Sequence, residues 1–148
     1  MSMNRTIYLM KKSNLLLFFL LLIVSCEYKD VSKKTVTLNS GTYQGQFVRL
    51  NSLIYSPDYN VLVNVTLTFT SDKFSGASGK PRYPAICNGT YQINGQEINF
   101  ENLCIWTADF DWSIILGGKY YLKIEGNKLS IFRTIGDTTD RYDLVLQQ

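Results

Sequence analysis

The densest group of chemically capable side chains in this 148-residue chain is Cys104-Ile105-Trp106-Thr107-Ala108-Asp109-Phe110-Asp111-Trp112. Two indoles and a phenyl ring can stack on the apolar faces of a sugar while Asp109 and Asp111 accept hydrogen bonds from its hydroxyls. The same carboxylates can contribute to a calcium site, which needs several hard oxygen ligands. On a strand they would also point the same way, as a glycoside-cleaving pair must. The plainer alternative is that Trp106 and Trp112 plug one end of a barrel and the aspartates shape a turn. The segment is short of the alternating acidic and amide positions of a calcium loop, which favours the plainer alternative.

Other chemistry is limited by what is missing. The chain has no histidine, so a serine triad of the usual kind is excluded. It also has neither a phosphate-cradling glycine loop nor a Gly-x-Ser-x-Gly elbow. The expectation is a non-enzyme without cofactor or metal. Tyr83-Pro84-Ala85-Ile86 and Leu53-Ile54-Tyr55-Ser56-Pro57 place apolar side chains in expected loops. There Tyr83 and Tyr55 can line a ligand entrance, insert into a partner, or fold back as a lid. Trp106, Asp109, Asp111, Trp112, Tyr83 and Tyr55 are the candidate contacts for a small apolar or glycan ligand.

The elements that must position these residues have the period of strands. Val61, Val63, Val65, Leu67 and Phe69 alternate with Leu62, Asn64, Thr66, Thr68 and Thr70, one apolar face against one mostly polar face. Further strands are expected at 42–50, 73–78, 89–94, 96–100, 112–116, 119–125, 128–134 and 141–147. Asn94-Gly95, Gly117-Gly118, Gly126-Asn127 and Gly136-Asp137 supply turns. A meander of about eight short strands removes its exposed edges by closing. The expected fold is therefore all-β, a single antiparallel up-and-down barrel. The irregular pieces 51–60, 79–88 and 101–111 are expected at barrel ends. Phe47, Phe69, Phe100, Ile124 and Phe132 are expected to point inward and compete for the interior of such a barrel.

Cysteines and charge set the compartment. Lys11 and Lys12 precede the apolar run Leu15 to Val24, and Ser25-Cys26 follows it. This is the order of a secretory signal, and the run is short for a membrane span. Ile23-Val24-Ser25-Cys26 resembles the lipobox of bacterial lipoproteins. The resemblance implies cleavage after Ser25 and acylation of Cys26 on its thiol and then its amine. Residues 1–25 are then signal, 26–37 a lipidated tether and 38–148 the folded domain, with Met10 the expected start in preference to Met1 or Met3. Acyl chains contribute about 0.8 kcal/mol per buried methylene and would hold the domain on a membrane, here the outer membrane, facing the periplasm or the cell surface. Glu27 and Lys29-Asp30 resemble short export signals of surface lipoproteins, or form a solvated linker.

Cys87 and Cys104 remain as an even pair, which in an oxidising compartment reads as a disulfide rather than two buried thiols. Arg5, Lys11 and Lys12 lie in the signal, so twelve basic and twelve acidic residues follow it. A neutral domain lacks the basic face of a nucleic-acid binder, and a monomer is expected.

Gly41-Thr42-Tyr43-Gln44-Gly45 opens the first strand and Tyr142-Asp143-Leu144-Val145-Leu146 closes the last. This frame, over about residues 38–147, resembles the lipocalin-like domains of small Gram-negative lipoproteins. Tyr43 stands where true lipocalins place a tryptophan, and Arg133 or Arg141 where they often place a late arginine. Phe74-Ser75-Gly76, Cys87-Asn88-Gly89-Thr90-Tyr91, Ile98-Asn99-Phe100 and Cys104 resemble META-type domains, with Ile86 in place of the usual glycine. Neither resemblance implies a catalytic residue. Both imply a β-rich, lipid-anchored domain. The expected role is non-catalytic binding of a small apolar or amphipathic ligand within or across the barrel mouth. The alternative is a protein-interaction module, an inhibitor or accessory subunit of an envelope complex. Cys26→Ala should move the protein from the detergent phase to the aqueous phase; unchanged partition would refute the lipid anchor.

Overall fold

The computed structural model describes residues 36–53 and 60–148. Cys26, the signal, most of the tether and Tyr55 lie outside them. The alternation of apolar and polar residues is realised as eight strands: β1 (Gly41–Asn51), β2 (Val63–Thr70), β3 (Lys73–Ser78), β4 (Asn88–Asn94), β5 (Glu97–Asn102), β6 (Gly118–Glu125), β7 (Lys128–Ile135) and β8 (Thr138–Leu146). Each pairs antiparallel with its neighbours and β1 closes on β8, giving an up-and-down barrel. Val63, Val65, Leu67 and Phe69 of β2 all face the core. The closing seam is long, from Tyr43 opposite Leu146 to Asn51 opposite Thr138. Gly45 permits its close approach: a Cβ there would lie 2.0 Å from the Asp143 carbonyl oxygen.

Strand polarity sorts the connections. Residues 71–72, 95–96 and 126–127 are two-residue turns at one end, with Gly95 and Gly126 at φ 64° and 62°. Such left-handed positions favour glycine and fit tight hairpins. Residues 52–62, 79–87, 103–117 and 136–137 all connect strands at the other end. The three irregular pieces thus share a single end, here called the mouth. Residues 36–40 lie at the hairpin end, where Leu38 is buried beneath the barrel and Tyr43 donates its hydroxyl to the Asn39 carbonyl at 3.0 Å.

The interior is filled with side chains. Phe69 meets Tyr43 edge-on at 5.6 Å and Tyr91 at 5.2 Å. Phe100 meets Phe74 at 5.0 Å, and Phe47 meets Tyr142 at 4.8 Å. The first three pairs are edge-to-face and the last is tilted, and ring pairs at these separations add to simple burial. Leu67, Ile98, Leu129 and Ile131 occupy the space between them.

Three expectations need correction. Residues 112–116 do not form a strand. Trp112–Ile114 is a turn of 3-10 helix, because the Asp111 carboxylate caps it by accepting the Ser113 N–H at 2.9 Å. Phe132 faces outward: Leu129, Ile131 and Arg133 take the inner positions of β7, and Phe132 stacks on Tyr121 at 5.6 Å on the outer wall. The last strand begins at Thr138 rather than 141, since a two-residue turn at Gly136 (φ 57°) lets β7 and β8 pair up to Ile135 and Thr138. Ile124 does face the core and is partly buried.

Cys87 and Cys104 form a disulfide with a Cα–Cα separation of 6.3 Å, joining the 79–87 and 103–117 connections at the mouth. Their sequence separation is 17, for which chain-entropy arguments give about 3 kcal/mol. Cys87→Ser should therefore lower the melting temperature by roughly 10–20 °C in oxidising buffer and hardly at all in reducing buffer. Equal losses in both buffers would assign the cysteine a packing role.

Candidate functional site at the barrel mouth

The inner faces of three adjacent strands change from apolar to charged at the mouth. Arg49 follows Phe47 on β1, Arg133 follows Ile131 on β7, and Asp140 precedes Tyr142 on β8. The register places Asp140 directly opposite both Arg49 and Arg133. Arg49 holds its carboxylate in a two-point fork, Nε to Oδ1 at 2.6 Å and Nη2 to Oδ2 at 2.9 Å. Arg133 approaches Oδ2 from the other side, Nε at 3.3 Å and Nη2 at 3.2 Å. Asp140 is buried, and the Arg133 guanidinium lies 4.6 Å over the Tyr120 ring. The hydrogen bond to Asp140 raises Arg49 above the ordinary arginine value, against the opposing effect of burial. Burial likewise pushes up the phenols of Tyr120 and Tyr142 beneath the cluster.

The remaining donors of these arginines grip the 103–117 connection. Arg49 Nη2 and Arg133 Nη2 both donate to the Ser113 carbonyl, at 3.0 and 2.6 Å. Arg133 Nη1 donates to the Gly117 carbonyl at 2.8 Å. Arg49 Nη1 reaches Ser113 Oγ and Asp111 Oδ2, both at 3.0 Å. The segment therefore crosses the mouth as a strap. Its Ile114 and Leu116 are buried in the barrel top, and Ala85 brackets them through bonds to the Ile114 carbonyl and the Leu116 N–H, at 3.2 and 3.0 Å. Hydrogen bonds from Ser113 do most to hold the Asp111 carboxyl below the ordinary range, with Arg49 adding to them.

The expected site residues are distributed around this strap. Asp109 and Asp111 do not act as a pair. Asp109 is exposed, accepts from the Thr107 hydroxyl and pairs with Arg82 of the 79–87 connection at 3.1 Å; Thr107 first, then Arg82, hold its carboxyl below the ordinary value. Asp111 pairs with Arg49 of β1. Trp106 is half-buried, donates Nε1 to Asn102 Oδ1 at 3.0 Å and packs on Phe110. Trp112 is exposed, with its N–H donated to the Thr107 carbonyl at 3.1 Å. Tyr83 folds back as part of the plug, its ring edge on Phe47 at 5.7 Å. Tyr55 lies outside the described residues. Among the described residues no three His, Cys, Asp or Glu side chains are placed to share a metal.

Sequence reasoning missed Arg49 and Asp140. The available signal was a charged residue in phase with an apolar alternation. Arg133 faces inward at the opposite end of the barrel from Tyr43, whereas Arg141 faces outward and pairs with Asp143 at 2.8 Å.

Beside the strap an opening of about 390 Å³ is bounded by Arg49, Asn51, Asp111, Ser113, Ile135 and Thr138, among others. Exposed large apolar residues concentrate at this end. Leu53, Val61, Leu62, Leu103, Ile105, Trp112 and Ile135 all belong to it, whereas Tyr121 is on the outer wall and Val145 near the hairpin end. No protein-family model, curated protein or solved structure matches the chain.

Removing one member of a buried ion cluster leaves uncompensated charge and costs roughly 3–5 kcal/mol. Asp140→Asn should therefore cause a large loss of stability in denaturant titration, while Arg82→Ala, at an exposed pair, should scarcely move the midpoint. Similar midpoints for the two variants would remove the cluster's structural role.

Proposed function

We propose that this is a lipid-anchored, non-catalytic interaction module of the bacterial envelope that docks a partner protein at its barrel mouth. The observation that carries the proposal is the segregation of exposed apolar side chains to one end of a filled barrel. Ile105 is 99% exposed and Leu53 76%, the former on the 103–117 connection that the disulfide and the arginine cluster hold in place. Soluble surfaces rarely gather apolar residues in this way without an interaction that covers them.

Two further features support docking over a ligand in the lumen. Phe47, Phe69, Phe100, Tyr120 and Tyr142 occupy the interior, so a small molecule would have to displace them. The charges around the strap are also already paired with one another: Arg49 with Asp140 and Asp111, Arg133 with Asp140, and Arg82 with Asp109. The mouth therefore offers apolar contact with little net charge, and association there should depend weakly on salt. Residues 36–40 lie at the hairpin end of the barrel, opposite the docking end.

Native mass spectrometry of the full-length protein, extracted in mild detergent from the envelope of cells that make it, tests this. The expected species is a complex with a second protein that survives high salt and is lost in the double variant Ile105→Asp, Trp112→Ser. A protein that flies alone, or carries only a small-molecule mass, would contradict docking; the latter would favour a glycan or amphipathic ligand at the mouth.

A further inference from the structure

The opening beside the strap does not stop at the rim. A second depression of about 430 Å³ lies on the outer wall, lined by Glu97, Lys119, Tyr121 and Thr134, and it shares Arg133 and Ile135 with the first. The two form one groove that passes from the mouth over the end of β7 and down the wall between β5, β6 and β7. At its crest stands Ile135, 66% exposed. On the wall, Tyr121 lies flat on Phe132, with 26° between the ring planes, making an aromatic shelf of which Tyr121 is the exposed face.

We infer that this groove holds an extended peptide segment of the partner, with an apolar side chain against Ile135 and a second on the Tyr121 shelf. The inference rests on the docking reading above. The polar groups fit a peptide. Arg133 has four of its five N–H groups engaged, by Asp140 twice, Ser113 and Gly117. The fifth, on Nη1, has no partner among the described residues and would serve a peptide carbonyl. Charge differs along the groove. In the mouth half two guanidinium groups face two carboxylates, so the segment there is uncharged. In the wall half Glu97 and Lys119 flank the shelf with no described ion pair, and they suit a segment with a charge of each sign, or a chain terminus, beside its apolar residue. Residues 36–40 lie at the opposite end of the barrel, which disfavours the chain's own tether as occupant.

The test is site-specific photo-cross-linking. A benzophenone amino acid replaces Tyr121, Ile135, Ile105 or Gln96 singly in the full-length protein, which is irradiated in its native envelope, and the adducts are sequenced. The expected result is that positions 121 and 135 label one short stretch of a single protein, and that Gln96, at the hairpin end, labels nothing. Adding Ile135→Asp, at an exposed site, should cut the adduct at position 121 by about tenfold, as for a hot-spot residue. Adducts from Ile105 but not from 121 or 135 would overturn the groove and leave mouth docking standing. Labelling of unrelated stretches from 121 and 135 would also overturn it. Adducts only on lipid or glycan, or none at any position, would overturn both readings.

Discussion

One buried carboxylate organises the mouth of this barrel. Asp140 lies on β8 between an arginine on each neighbouring strand, and the strand register alone brings the three side chains together. A buried carboxylate is costly unless it is paired and hydrogen-bonded, and here two guanidinium groups meet that requirement. Each arginine has more donors than Asp140 can use. The surplus reaches across the barrel top to the Ser113 and Gly117 carbonyls, the Ser113 hydroxyl and Asp111. A single ionic cluster thus fixes a connection that would otherwise have little regular structure of its own.

The two ends of the molecule follow from this. At the hairpin end, two-residue turns and the buried Leu38 leave little exposed apolar surface. At the mouth, the strap is held at Cys104 by the disulfide, at Ser113 and Gly117 by the arginines, and along Ile114 to Leu116 by Ala85. Segments held so firmly can display Ile105 and Trp112 to solvent without collapsing onto the core. Rigid presentation lowers the ordering cost of binding, which is the physical link between the cluster and the proposed docking role.

The barrel was legible in the sequence because alternation has a fixed period and because glycine turns mark where it reverses. β2 shows this best, with Val63 through Phe69 inward at every second position. The seam between β1 and β8 lies beyond local pattern, yet closure follows from the need to remove edges. The strap was not legible. Its 112–116 stretch has strand-like composition, but the Asp111 cap and the arginine donors, distant in sequence, bend it into 3-10 geometry. Phe132 was misplaced for a related reason: Arg133 has the inner position because Asp140 is there to receive it, which leaves the ring outside. The 101–111 stretch is an end loop as expected, with Trp112 opening the 3-10 turn instead of a strand, but the partners of its two aspartates come from elements far away in the chain. Arg49 was readable only as a charged residue out of character on an apolar face.

Hydrogen exchange of the wild type and of Arg49→Met tests the organising role of the cluster most directly. With the Arg49 bonds to Asp140, Asp111 and Ser113 removed, the amides of residues 113–116 and of Ala85 should exchange faster, while β2, β4 and the hairpin-end turns keep their protection. Unchanged exchange in the strap, or uniform loss across the barrel, would contradict it.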